Sequence, residues 1–176
     1  MDAQFVSGVE SIEIGTVGNA PAFVELSEIE MGSVSWGVTA PTKTRFKAED
    51  KPGTRVSLLG DQDPDTINFG TINLKAPNLK MLFGGRIDAA TSIYYVPAET
   101  VIVKMQVRLT TRAVNGLKQI ITFANCEATA SFNGNFTRDG LLSVRVAADI
   151  IPYKVGEDEV KATIQTVKED GTPYTE

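Results

Sequence analysis

Histidine is missing from all 176 residues of this chain. It is the commonest general acid/base and a frequent metal ligand, so its absence removes most nucleophilic and metallohydrolase schemes. Paired carboxylates or a lysine are what remain for catalysis. Cysteine occurs once, at Cys126, which allows no intrachain disulfide and no Cys/His zinc set. There is no GxSxG, no glycine-rich phosphate loop and no HExxH. Unbroken apolar runs extend for only a few residues, too short for a membrane-spanning helix. The opening "MDAQFVSGVESIEIG" lacks the basic and apolar regions of a signal peptide, so we expect a protein kept in the cytoplasm until it is assembled. Cations are in deficit too. A net charge of −5 argues against a surface that grips nucleic acid, although an acidic wall suits nucleic acid that slides past without sticking. These absences predict a non-enzyme with no cofactor, no metal and no membrane partner.

What is present is one domain's worth of ordinary globular composition, 42% apolar and 22% charged, enough to bury a core. The densest cluster of chemistry-bearing side chains is "LLGDQDPDTINFG", with Asp61, Asp63 and Asp65 at alternate positions. A calcium loop of the EF-hand type needs glycine at its sixth position and glutamate at its twelfth; counted from Asp61 these are Thr66 and Ile72. Gly60, the aspartates and Pro64 instead supply what a strand-to-strand turn needs. Three acids in an open turn with no apolar enclosure also make poor general acids.

Period-two patterning dominates the rest. In "VIVKMQVRLTT", Val101, Val103, Met105, Val107 and Leu109 share one face, while Lys104, Gln106 and Arg108 take the other. Asn115-Gly116 then signals a two-residue hairpin turn. That turn sets a register: Val114 opposite Leu117, Val107 opposite Ala124, Met105 opposite Cys126, Val103 opposite Ala128 and Val101 opposite Ala130. On the other face Lys104 meets Glu127 and Gln106 meets Asn125. Large residues face small ones, and Cys126 becomes a small core residue. "LLSVRVAADIIPY" alternates again, completing a three-stranded meander. Less regular strands are expected in "VESIEIGTV", "AFVELSEIEM", "SVSWGVTA", "TRVSLLG" and "TINFGTINL", with Trp36 in the core or an interface. Of the adjacent Tyr94 and Tyr95, one must point inward.

A single short helix is expected at about 77–84 in "KAPNLKMLFGGRI", started by Pro77, closed by Gly84 or Gly85, and seated by Leu79, Leu82 and Phe83. Two segments lack a core pattern. One is the polar excursion 41–54, "PTKTRFKAEDKPGT", too long for an ordinary hairpin loop. The other is the charged C-terminal stretch 154–176, expected to be loosely held as a tail. The fold class is mainly β: a single-domain antiparallel β-sandwich or barrel with one flanking helix, an N-terminal arm 1–8, a main domain 9–153 and the tail.

The order of these parts over roughly residues 8–153 resembles the tail tube proteins of long-tailed bacteriophages, in the form common in phages of Bacteroides-type hosts. The likeness is carried by an early strand pair, the excursion "TKTRFKAEDKPG", the proline-started helix with its double glycine in "LKAPNLKMLFGG", and a long meander with an exposed NG hairpin. It implies a fold shared with type VI secretion tube proteins, six copies in a ring and rings stacked into a tube. Such a tube is a virion structural component, assembled in the host cytoplasm. DNA passes through the lumen at ejection, and a tape-measure protein fills it before that. Tail sheath or tail terminator proteins are further implied partners. The same resemblance makes Arg45, Phe46, Lys47, Glu49 and Asp50 candidates for contact with a neighbouring subunit or ring. The competing expectation is a monomeric β-sandwich module that binds a carbohydrate or protein ligand. Such modules usually present exposed stacking aromatics or a true calcium loop, and aromatics here are 7%.

Overall fold

The computed structural model describes residues 7–18, 21–48, 51–60, 62–134 and 140–175, with the side chains of 7, 47–48 and 51–56 excepted. The fold grows from the central hairpin. Strands β9 (Val103–Arg112) and β10 (Leu117–Asn133) are joined through Asn115 and Gly116, which have φ of 53° and 75°. Two successive residues at positive φ make the turn whose twist matches paired strands, which is why Asn-Gly sits there. Met105 is paired with Cys126 and Val103 with Ala128, and Lys104 reaches Glu127 at 3.2 Å, as the patterning predicts.

The register between those points differs from a simple count. Val107 lies opposite Phe123, not Ala124. From the Val114–Leu117 bridge to the Thr110–Ile120 pair, β9 advances four residues while β10 advances three. Between the Val107 and Met105 pairs β10 takes one extra residue back. The two bulges cancel, so the ends of the ladder are in the expected register and its middle is shifted by one. Side-chain and backbone partners absorb the groups the bulges free. Thr111 Oγ1 accepts the Gln119 N–H at 2.9 Å in a buried position, and the Asn125 carbonyl accepts the Ile151 N–H at 2.9 Å. The Val101–Ala130 and Gln106–Asn125 pairs are not part of the ladder. Gln106 is buried beneath the turn that follows the first strand and donates to the Gly18 carbonyl at 2.9 Å.

Around this hairpin one antiparallel sheet assembles in the order β2 (Val24–Leu26), β1 (Ser7–Gly15), β9, β10, β11 (Ser143–Ile150), β6 (Asp65–Thr71), β3 (Ser35–Gly37). Strand β11 alternates strictly, with Val144, Val146, Ala148 and Ile150 buried and Arg145, Ala147 and Asp149 outward. The long β10 serves two partners on one edge: β11 along Cys126–Asn133, and β14 (Thr163–Lys168) along Leu117–Thr122. The changeover falls at the second bulge. The sheet curls strongly, since Trp36 of β3 packs edge-on against Phe123 of β10, 5.1 Å between centroids, although β6 and β11 lie between them in the sheet. Curling gathers Ile12, Ile14, Leu26, Ile67, Phe69, Val107, Phe123 and Val146 into one core. Among the described residues the sheet does not close into a barrel; β2 and β3 end it.

Helix α1 (Ala76–Phe83) covers part of this core with Leu79 and Leu82. Burying each contributes about 1.5–3 kcal/mol, which an eight-residue helix needs because it would not persist alone. Its C-terminus is stopped as expected. The Gly84 N–H caps Lys80 at 2.9 Å, and a Cβ at Gly85 would stand 2.6 Å from the Tyr95 carbonyl oxygen. The two-stranded ribbon β7 (Arg86–Asp88) and β8 (Ile93–Tyr95) follows. Tyr94 packs against the core and donates its hydroxyl to the Gly84 carbonyl at 3.0 Å, while Tyr95 faces outward under the Arg86 guanidinium.

Two expectations are corrected. Residues beyond 153 are not an appended tail: β12 (Tyr153–Val155) and β13 (Asp158–Val160) form a ribbon, and β14 pairs with β10 at six positions, burying Val167. Two apolar residues, Ile164 and Val167, suffice for this strand because it borrows its ladder from the free half of β10. The excursion 41–54 is not an unpatterned loop either, and is described next. The N-terminal arm falls largely outside the described residues.

Candidate assembly surface

Among the described residues, strands β4 (Lys43–Ala48) and β5 (Lys51–Leu59) form a two-stranded ribbon that pairs with no strand of the main sheet. Its base is pinned by the Gly60 N–H donating to the Thr42 carbonyl at 2.8 Å. Sequence reading expected a strand in "TRVSLLG" but missed its partner β4 and the pairing, because the start of β5 carries Pro52 and Gly53, both weak strand formers, and the ladder runs through two irregular steps after Phe46. Phe46 pairs with Val56 and Thr44 with Leu58, so Phe46 and Leu58 share one face. Phe46 is 51% exposed, Leu58 54% and Leu59 69%. Phe46 therefore does not fold back into its own core. A lone two-stranded ribbon is marginal in water, and apolar groups displayed together on it mark a surface that meets something.

Arg45 lies exposed on β4, with its side chain on the opposite face from Phe46. Lys47 continues the strand, and Glu49 and Asp50 lie outside the described residues. The ribbon is the basic part of an acidic chain. Residues 43–59 hold five Lys/Arg against two acids, leaving twelve against twenty elsewhere.

The aspartate stretch resolves into structure rather than a cluster of free acids. Asp61 lies outside the described residues, and Asp63 is exposed. Asp65 is 2% exposed, and its carboxylate accepts from Lys161 Nζ at 2.9 Å and from the Thr39 N–H at 3.2 Å. One carboxylate thus ties the start of β6 to the C-terminal segment and to the chain leaving β3. Cys126 is fully buried, and burial pushes its thiol up to about 12, far from a reactive thiolate. Sequence reading also missed the ion pair of Glu13 with Arg108, held by two bonds of 2.6 and 2.7 Å beneath the Phe23 ring.

Two depressions among the described residues bear on function. The larger, about 540 Å³, runs across β10, β11, β6 and β3, floored by Ser35, Asn68, Thr129, Ser131 and Arg145. Arg145 is held by Glu30 at 3.1 Å. The one aromatic in its lining, Phe69, is buried in the core, so no ring is offered for stacking on a sugar. The smaller, about 250 Å³, has a mixed lining with an apolar side of Phe83, Val96, Pro97, Val101 and Phe132, and lies where α1, the segment after β8 and the end of β10 meet. Its lining includes Phe83 and Phe132, whose rings stack at 4.7 Å.

No protein-family model matches this chain, and no curated protein does.

Proposed function

We propose that this chain is a structural subunit that associates with copies of itself into stacked six-membered rings, forming the tube of a long-tailed phage tail. The observation that carries the reading is the β4–β5 ribbon, a basic arm with an exposed apolar face, standing off a domain that is acidic elsewhere. Such an arm is poorly stabilised in a monomer and well suited to a neighbour. The order of strand pair, arm, helix and meander supports the same reading through its resemblance to tail tube proteins. In this role the lumen carries DNA and, before it, a tape-measure protein, neither bound by sequence. Sheath or terminator proteins meet the tube outside or at its end. The role is structural, not catalytic, calls for no cofactor, and places the protein in the virion.

A second reading, a monomeric binding module, draws on the hydroxyl-lined depression over β10, β11, β6 and β3. Its lack of an exposed ring makes it the weaker of the two.

Negative-stain microscopy with light scattering over a concentration series separates them. Rings or tubes are expected, and a monomer at every concentration would refute the structural reading. Replacing residues 43–59 by a short glycine-containing turn between Thr42 and Gly60 should leave a folded, soluble monomer that forms no tubes.

A further inference from the structure

The arm's exposed face and the apolar side of the cleft are matched in size and chemistry. Phe83, Val96, Pro97, Val101 and Phe132 line the cleft. Val96 is 54%, Val101 42% and Phe132 42% exposed, so the cleft stands open. A cavity of about 150 Å³ holds a benzene ring; a cleft of about 250 Å³ has room for a phenylalanine side chain and part of a second apolar group. The face of the β4–β5 ribbon offers that pair, Phe46 and Leu58, on successive same-face rungs of one ladder.

We propose that the β4–β5 ribbon of one copy docks Phe46-first into the cleft between α1 and the end of β10 on a second copy. The proposal rests on the self-assembly reading above and names the surface that receives the arm. Phe46 would extend the Phe83–Phe132 stack, and Leu58 would meet Val96 or Val101. Charge favours a second copy as the occupant. The arm's excess of cations is opposed by the excess of acids over the rest of an identical chain, and Glu99 stands at the cleft itself. Within one chain the arm's face and the cleft are both exposed, so the contact is not already made internally. Donor and acceptor are different surfaces, so the contact is heterologous and repeats from copy to copy, closing a ring or extending a tube.

The test mixes two single variants, Thr44→Cys and Val101→Cys, under mild oxidation; Thr44 shares the ribbon face of Phe46 and stands directly opposite Leu58, so both anchors are kept. Cys126 is a silent background because its thiol is buried and pushed up to about 12. Disulfide-linked dimers should form in the mixture and be at least about tenfold fewer when Val101→Cys is replaced by Thr163→Cys, on the exposed β14. In a separate arm, Val101→Asp should keep the monomer's Tm and weaken assembly by at least about tenfold, the factor expected for losing one buried valine contact. If the protein assembles but crosslinks equally through position 163, or if Val101→Asp assembles normally, the cleft is not the acceptor while the self-assembly reading survives. If no oligomer forms at any concentration, both fall.

Discussion

Removing Lys161 should destabilise the domain more than removing its partner Asp65, although the two form one ion pair. The carboxylate is 2% exposed and the lysine side chain 39%, with 2.9 Å between them. Lys161→Ala strands a buried negative charge that retains the Thr39 N–H and the Gln62 amide as partners. Breaking a fully buried pair from one side costs about 3–5 kcal/mol. The lysine end is partly solvated, so that figure is discounted to about 2–3 kcal/mol. Asp65→Ala instead releases a lysine that can turn to water, leaving chiefly the Thr39 N–H without its acceptor, about 1–2 kcal/mol. The double variant removes the stranded charge and should cost less than Lys161→Ala alone, so the coupling in a double-mutant cycle is favourable. Urea unfolding at neutral pH, with a constant m-value across the four proteins, measures all of these. A Lys161→Ala cost below about 0.5 kcal/mol, the scale of an exposed pair, would refute the reasoning. Asp65 would then not be the anchor of the C-terminal segment.

The two glycines after α1 should differ. Gly84→Ala should cost about 1–3 kcal/mol from backbone strain at φ 73°. Gly85→Ala should cost more, because its Cβ would also stand 2.6 Å from the Tyr95 carbonyl oxygen; equal shifts in Tm would contradict the packing. Millimolar calcium should leave Tm unchanged, since Asp65 is already committed to Lys161; a clear rise would mean binding linked to folding. Cys126 should resist a thiol reagent at neutral pH until the protein unfolds, and immediate stoichiometric reaction would refute its burial. Burial raises this thiol from 9.0 to about 12, so its contribution to stability is complete below 9.0 and is lost as pH rises toward about 12.

The legible parts of this fold are those decided locally. Asn115-Gly116 fixes a turn through its own backbone, the alternation of Val103, Met105, Val107 and Leu109 fixes a face, and Pro77 with Gly84 brackets a helix. The register fails only where the deciding atoms are remote in sequence or in rotamer. The first bulge is stabilised by the Thr111 hydroxyl taking a buried amide, and the second by the Ile151 N–H taking the Asn125 carbonyl. Neither donor–acceptor match has a period. For the same reason "VKATIQTVK" reads as a weak strand in isolation. Its partner is the half of β10 that β11 leaves unpaired, a vacancy that exists only once the sheet is built. The arm was hidden by an opposite fault. Its residues have strand geometry without a core to impose alternation, so polar and apolar side chains mix on it.

That contrast bears on how folding and association are divided in this chain. The core draws on β1, β2, β6, α1, β9, β10 and β11, and among the described side chains takes nothing from β4 or β5. An apolar side chain in the arm therefore gains little by staying apolar if the monomer is the working form. Phe46, Leu58 and Leu59 would be exchangeable for polar residues, with gains in solubility and no loss of core. Their presence on a ribbon that also concentrates positive charge makes sense if the free energy of burying them is released on contact with another surface. Association can then be abolished at Phe46 without touching the fold, and the fold weakened at Leu82 or Phe123 without altering the arm's chemistry. A protein whose arm variants unfolded as readily as its core variants would not be built this way.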